Sequence, residues 1–414
     1  MSEKRVHYMD PEVHSNRRSE FRLHAKCYKN NLKLCLNMSS SGGVFPDIVG
    51  AYGLIKHIRL MSGGVELDSC RFANYWMAWR NVNQTNENNR NVRHEIARNA
   101  LGFSLNPQLV YTTAAPPTLA LVGSGDPQAG VINLMECLPL LQSIVIFNTD
   151  LIPNLKVVIE YNTDQKLMKK DVSVVGSISP PILVAEEVLD ESVISQSAKL
   201  PGAVWNAIEH DSFILPAGTA GTVQKVTQKL NGFDNKMVSK IVMMKHLHPV
   251  SKNYTGNVPN GFGSYASQVQ HKEEYNFVVN SQPVYPRNVN ERAEKSMHLS
   301  AAWGPVNIVP YANQSSIGGN PNGATIQAGE RIGIPFPENS LNDPHPSHKV
   351  GGQDYIGVAL NTRVNQFEFV YQRLPVTDTG TIKKQTDSLE MKFFALVSKS
   401  IKFNSGGPPS VSYV

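Results

Sequence analysis

Two histidines spaced two residues apart are the side chains of this chain best suited to bind a metal ion. His246 and His248 close an apolar run, and residues two apart on a strand point to the same face, where both could reach one cation. A cupin-type site would also need a carboxylate a few residues downstream and another histidine later. The sequence after His248 reads PVSKNYTGN and contains no acid. Two satisfied or solvated histidines are therefore the favoured interpretation, and no metal site is predicted.

Other candidate motifs lack the spacing that their chemistry needs. Glu209-His210-Asp211 are consecutive, so their side chains do not converge, and no Gly-x-Ser-x-Gly elbow supplies a nucleophile. This triplet is predicted to be a polar turn. Gly123-Ser-Gly125 and Gly318-Gly319 lack the flanking strand, helix and lysine of a phosphate loop, and His345 and His348 lie in a proline-rich stretch. The sequence predicts no catalytic residue, no cofactor and no enzyme.

Basic residues form two small groups that could contact polyanions. One interpretation is binding to anionic lipid head groups or packaged nucleic acid, and the other is solvated surface charge. No aromatic residues are interleaved to favour contact with bases, and a net charge of +5 is a mild excess for so long a chain. The groups are Lys4, Arg5, Arg17 and Arg18 with Lys26 and Lys29, and Lys166, Lys169 and Lys170.

Length and composition indicate a globular protein with two domains. The chain has 414 residues, of which 41% are hydrophobic and 18% charged. No run of about 18 apolar residues could cross a bilayer. The first 21 residues lack the apolar segment of a secretory signal, which predicts a protein made and kept inside a cell. Its 4 cysteines are scattered without a CxxC motif, so free thiols are predicted.

The stretch 55–70, IKHIRLMSGGVELDSC, predicts a β-hairpin. Apolar and polar residues alternate on both sides of Gly63-Gly64. The following CRFANYWMAW is aromatic without the period of a strand, which predicts a short helix or irregular arm packed under the sheet. A similar order of parts at 237–245 (MVSKIVMMK) and 274–285 (EYNFVVNSQPVY) indicates one fold used twice.

Strands and loops are predicted for most of the remaining chain. Residues 155–161 should form a buried strand with Val157, Ile159 and Tyr161 on one face. Further strands are expected in 21–38, 355–360, 366–371 and 389–397, helical turns at 134–141, a short helix in 92–101, and loops at 81–91, 248–272 and 304–352.

These elements predict an all-β protein of two antiparallel sandwiches side by side. Residues 1–19 have no apolar stripe and are predicted to be an N-terminal arm. The first sandwich is placed at 20–200 and the second at 201–414, with the boundary near Leu200-Pro201-Gly202.

Four stretches, in order along nearly the whole chain, resemble a known family. They are the hairpin at 55–70, VINLMECLPLL with LKVVIEY at 131–161, EYNFVVNSQPVYPRNVNERAEKSMHLSAAWG at 274–304, and LEMKFFALVSKSIKFNSG with the Val-Ser tail at 389–414. The family is the double jelly-roll major capsid proteins of the adenovirus and tectivirus lineage, with the versions of virophages and polinton-like viruses most similar.

This resemblance implies two consecutive eight-stranded antiparallel jelly rolls with long loops and a few short helices. It implies a DNA-virus capsid protein whose homotrimers present six similar wedges and tile an icosahedral shell assembled inside the host cell. The implied partners are neighbouring capsomers, penton and minor capsid proteins, and an inner membrane or genome reached through the N-terminal arm. The alternative is a carbohydrate-binding or cupin-type double sandwich. A single jelly-roll vertex protein is disfavoured by the repeat.

Overall fold

Antiparallel β-strands dominate the fold. The computed structural model describes residues 4–38, 49–84, 109–111, 119–121, 128–162, 178–248, 273–304, 355–375, 386–404 and 407–414. The helix predicted in 92–101 lies outside these residues, as do 85–91, 249–272 and 305–352 of the predicted loops.

The first half of the chain forms a sandwich of two facing sheets. Its strands are β1 (Lys4–Met9), β2 (Val13–Ser15), β3 (Arg18–Arg22), β4 (Cys27–Lys29), β5 (Lys33–Met38), β6 (Ile55–Ser62), β7 (Val65–Arg71), β8 (Leu109–Tyr111), β9 (Leu119–Leu121), β10 (Gln128–Asn133), β11 (Ile146–Asn148), β12 (Leu155–Tyr161) and β13 (Ile182–Val188). One sheet has β1 beside β13, then β4 and β5, then β11 and β10. The other has the order β2-β3-β12-β6-β7, and β8 pairs with β9 separately.

The second half forms another sandwich. Its strands are β14 (Gly202–Leu215), β15 (Gln224–Lys229), β16 (Lys236–Leu247), β17 (Glu273–Val279), β18 (Gln282–Pro283), β19 (Ile356–Val364), β20 (Phe367–Arg373), β21 (Leu389–Lys402) and β22 (Ser410–Tyr413). One sheet has the order β14-β21-β16-β19, with β22 added to β21, and the facing sheet has the order β15-β20-β17-β18.

Both sandwiches have the same strand order. When β8, β9 and β22 are left out, and β2 with β3, β4 with β5, and β10 with β11 each count as one strand position, each half has one sheet in the order first-eighth-third-sixth and one in the order second-seventh-fourth-fifth. This is the eight-stranded jelly roll. The predicted fold of two consecutive antiparallel jelly rolls is confirmed.

Helices occupy short connections. They are α1 (Ala73–Gln84), α2 (Leu140–Ser143), α3 (Glu191–Ser197) and α4 (Arg292–Trp303). None of these helices is long and apolar enough to span a bilayer. Of the two alternatives predicted after the hairpin, a short helix or an irregular arm, α1 shows the helix. The loop predicted from residue 81 is wrong for 81–84, because α1 continues there with Asn81 buried.

The structure contains the predicted internal repeat, but the predicted counterpart of the hairpin β6-β7 is wrong. The hairpin β6-β7 is followed by α1, and its counterpart is the hairpin β17-β18 followed by α4. β16, predicted to be the partner of β17, belongs to the opposite sheet. The mismatch arose because strands from both sheets bury one apolar face, so the sequence pattern alone does not tell which sheet a strand joins.

The predicted N-terminal arm is wrong for the residues that the structure describes. β1 pairs with β13 over six positions, from Lys4 opposite Val188 to Met9 opposite Leu183. It is the edge strand of its sheet. The strand was not predicted because its large apolar residues Val6 and Tyr8 do not face the core. They point outward, where they are 45% and 73% exposed.

The core of each sandwich follows the alternation of the sequence. β12 coincides with its predicted strand, and Val157, Ile159 and Tyr161 are all buried. The predicted hairpin is also confirmed, although an irregularity between Leu60 and Met61 shifts the register. Asp68, which the alternation placed outside, is buried as a result.

Gly202, at the start of β14, is a position where only glycine fits. Its φ is +155°, and a Cβ there would lie 2.1 Å from the carbonyl oxygen of Ile401 in the paired strand. We therefore expect Gly202→Ala to lower the free energy of unfolding by about 1–3 kcal/mol, since the backbone must move away from its partner. Chemical denaturation measures this, and Gly221→Ala, where a Cβ has open space despite a φ of +76°, is the control for backbone conformation alone. Equal losses of unfolding free energy in the two variants would contradict a clash between the added Cβ and the Ile401 carbonyl oxygen.

Candidate functional site at the junction of the two sandwiches

Aromatic side chains of α1 fasten the first sandwich to the second. Trp76 lies 5.8 Å from Phe394 of β21 and 6.0 Å from Trp303 of α4, measured between ring centroids. Trp79 lies 5.5 Å from Trp303 and 4.8 Å from Tyr355. These residues belong to one buried apolar cluster that continues from the core of the first sandwich into the second half. The two sandwiches therefore share a packed core, which fixes the angle between them.

The turn between β7 and α1 places a ring over a buried lysine. Phe72 has a φ of +52°, a left-handed conformation that is uncommon for a bulky residue. The ammonium group of Lys392 lies 4.6 Å from the Phe72 ring and 4.8 Å from the Tyr75 ring, and it pairs with Glu390. Burial lowers the pKa of Lys392, while the Glu390 carboxylate opposes that shift. The ring faces of the first half thus hold a cation of the second half, whose charge is paired within its own strand.

His210 is a half-buried titratable group that lies beside the rings of Phe72 and Phe394. Its imidazole lies 4.6 Å from the Phe72 ring and 5.0 Å from the Phe394 ring. Burial, with the nearby charges of Lys392 and Arg71, lowers the pKa of His210 to about 3. The imidazole is therefore neutral at physiological pH and packs as an aromatic ring.

The low pKa of His210 predicts a loss of stability in acid. An unfolded histidine titrates near pH 6.5, so below that pH the unfolded chain binds a proton that the native protein does not, and stability falls as pH decreases toward 3. At pH 5 this amounts to about 2 kcal/mol. We expect His210→Phe to melt with a smaller difference between pH 7.5 and pH 5 than the parent chain. His24→Phe, whose side chain is 68% exposed, should keep the parent's difference, and an unchanged difference in His210→Phe would contradict the assignment.

A carboxyl group at the edge of the junction shifts in the opposite direction. Burial raises the pKa of Asp68 to about 7, although the Leu140 amide N–H and the Lys399 charge both favour the ionised form. The Leu140 N–H donates to Oδ2 over 2.8 Å. The contribution of the Asp68 carboxyl group to stability is present at low pH, where the group is protonated, and is lost as pH rises from about 4 to about 7. Asp68 and His210 therefore change stability in opposite directions across the same pH range.

The triplet Glu209-His210-Asp211 lies in β14, so the predicted polar turn is wrong. The strand sends alternate side chains to opposite faces: Glu209 binds Lys399 at 2.7 Å and the Tyr413 hydroxyl at 2.9 Å, whereas His210 faces the junction. The strand was not predicted because its polar residues do not alternate with apolar ones. They are accommodated on both faces of β14 by specific partners.

The two histidines of the metal hypothesis do not form a metal site with described residues. His246 is buried on β16 with its ring 4.5 Å from that of Tyr75, and the backbone N–H of His248 donates to Ser388. Within the described ranges, no group of three His, Cys, Asp or Glu residues could hold an ion. His345, His348 and both glycine motifs lie outside those ranges.

Sequence reasoning missed a second buried charge cluster, which lies inside the second sandwich. Glu273 accepts a hydrogen bond from the Tyr371 hydroxyl at 2.6 Å and from Lys245 at 2.6 Å, and Lys295 of α4 lies 3.8 Å away. Lys245, the last residue of MVSKIVMMK, was the available signal, since a strand position on the inner face should be apolar. The cluster ties α4 to β16 and β17.

Four of the six N-terminal basic residues, Lys4, Arg18, Lys26 and Lys29, form ion pairs. Lys4 and Lys29 both approach Glu186, at 3.6 and 3.3 Å, and Arg18 pairs with Glu20 at 2.7 Å. The second basic group, Lys166, Lys169 and Lys170, lies outside the described residues. The described geometry favours surface charge over a polyanion site.

The architecture defines the chain as a double jelly roll, and solved structures share it. The PBCV-1 VP54 structure fitted into a reconstruction of the virophage Sputnik matches with a TM-score of 0.59 at 11% identity, covering 100% of this chain and 98% of that one. The mavirus major capsid protein matches with a TM-score of 0.55 at 10% identity, covering 99% and 90%. No family model and no curated protein matches the sequence. The chain thus has the double jelly-roll fold that the sequence resemblance implied.

Proposed function

We propose that this protein is a viral major capsid protein whose homotrimers form pseudo-hexagonal capsomers of an icosahedral shell. The observation that carries the proposal is the pair of jelly rolls with identical strand order, joined through the buried aromatic junction of α1. The same fold in capsid proteins of mavirus and PBCV-1, over nearly the full length of both chains, supports it.

The mechanism is geometric. Two equivalent wedges in one chain supply, in three copies, the six sides of a block that tiles like a hexagon. Such tiling needs a constant angle between the wedges, and the contacts of Trp76 and Trp79 with the second sandwich hold that angle. Self-association is thereby the protein's activity, and no catalytic group is needed for it. Obligate interfaces of this kind bury more than about 2,000 Å².

The remaining partners follow from the shell. A closed icosahedral shell needs fivefold vertices, so penton and minor capsid proteins are the proposed partners besides neighbouring capsomers, and the proposed location is the virion, after assembly inside the host cell. Contact with a membrane or genome through an N-terminal arm is no longer part of the proposal, since residues 4–9 are a strand.

Expression of the full chain tests this function. Negative-stain images of concentrated protein should show hexagonal particles that join into curved sheets or closed shells. A protein that stays dispersed as single chains at every concentration and ionic strength would contradict the proposal.

A further inference from the structure

The outer face of the corresponding sheet is covered by α1 in the second sandwich. In the first sandwich it is covered by α3 at β4 and β11, where Ser197 contacts Cys27 and Asn148, and it is exposed on other strands. The outer face of the second sandwich's β14-β21-β16-β19 sheet is buried under α1, and its large apolar residues, among them Ile208, Val242 and Phe394, belong to the shared cluster. The equivalent face of the first sandwich, on β1, β13, β5 and β10, has no such cover among the described residues. Tyr8 and Ile182 are 73% and 38% exposed there.

The exposed face carries apolar side chains with charged residues between them. Tyr8 lies opposite Val184 on the neighbouring strand, and Ile182 lies opposite Cys35, which lies opposite Val131. Opposed residues of paired strands point to the same face, so these side chains and Val6 lie in one patch, in which Lys33 lies opposite Val184 and Glu186 lies opposite Val6. We call it the outer patch. Exposed apolar side chains grouped on one face mark contacts with another protein.

The internal repeat indicates what covers the outer patch. Within the chain, the helix that follows the hairpin of the first sandwich covers the outer sheet of the second. The helix in the same position of the second sandwich is α4. Its exposed residues Ala293, Ser296, Met297 and Ala301 carry no charge and lie on one side at helical spacing, and Met297 is 59% exposed.

We propose that the outer patch of one copy binds the α4 side of the second sandwich of another copy, repeating between chains the contact that α1 makes within the chain. This inference rests on the proposed capsomer and assigns its contact surfaces. The outer patch and the α4 side are different surfaces, so the contact between copies is heterologous. It therefore adds copies head to tail until a ring closes. In the proposed capsomer it closes at three copies.

Two variants remove one face each. Tyr8→Glu/Ile182→Glu places charge on the outer patch, and Met297→Glu places it on α4, all at exposed sites, so each chain should keep the parent's melting temperature. Each should weaken association by about 100-fold or more and run as a monomer at micromolar concentration. Val223→Glu, at an apolar residue that is 56% exposed between β14 and β15, is the control and should associate like the parent.

Mixing the two variants gives the decisive result. Each retains the face that the other lacks, so an equal mixture should form a one-to-one heterodimer and no larger species, as measured by mass photometry or native mass spectrometry. If the parent forms trimers and either variant does so too, the surface assignment is wrong while the capsomer stands. A parent that never associates overturns both.

Discussion

Removing residues 1–9 is expected to unfold the first sandwich or to destabilise it by more than about 3 kcal/mol. β1 contributes six positions of pairing along β13, and each backbone hydrogen bond contributes about 0.5–1.5 kcal/mol net. Met9 also packs against the first core, and His7 donates to Glu187 over 2.7 Å. The deletion therefore uncovers both an edge of the sheet and part of the core, and the exposed strand β13 should promote aggregation.

The matched control keeps the strand and removes only its charge. Lys4→Ser/Arg5→Ser should melt within a few degrees of the parent, because ion pairs at exposed sites contribute little. Circular dichroism melting of the three chains separates a structural strand from a charged arm. A deletion variant that melts like the parent would show that β1 is dispensable and that the arm interpretation was right.

Trp79→Ala is expected to lower the free energy of unfolding by about 3–5 kcal/mol and to loosen the joint between the sandwiches. Its ring is fully buried and contacts Trp303 and Tyr355, both in the second half of the chain. The cavity would lie where the two halves meet. We therefore expect denaturation to become less cooperative, with the two sandwiches unfolding at different denaturant concentrations.

Trp79→Phe is the conservative counterpart. The indole N–H of Trp79 has no hydrogen-bond partner among the residues that the structure describes, so phenylalanine should retain most of the packing and cost clearly less than alanine. Urea denaturation followed by fluorescence and by circular dichroism reports both the stability and the coincidence of the two transitions. A single unchanged transition in Trp79→Ala would contradict the role of this residue at the junction.

The sequence predicted elements whose own residues carry the signal. β12 was predicted with its bounds because Val157, Ile159 and Tyr161 all face one core. At α1 a short helix or an irregular arm was predicted, because its aromatic residues lack the period of a strand. β1 was missed for a physical reason: an edge strand has only one covered face, and here Val6 and Tyr8 lie on the other. Local alternation does not indicate the orientation of such a strand.

The junction could be predicted only in part. The aromatic run of α1 indicated burial under a sheet, but the rings that it meets, on Trp303, Tyr355 and Phe394, lie more than two hundred residues later. Nothing in the sequence specifies that pairing, because aromatic packing selects shape and leaves no local pattern. For the same reason His210 was interpreted by its neighbours in the sequence, whereas its pKa is set by burial at the junction.

The most direct test of the proposed capsid function is the mass and outline of the purified 414-residue chain in solution. Native mass spectrometry and electron-microscopy class averages should give a particle of three times the chain mass of 45.6 kDa, with a hexagonal outline formed by six sandwiches around a threefold axis. A stable two-lobed monomer at micromolar concentration, unchanged across salt and pH, would contradict the account.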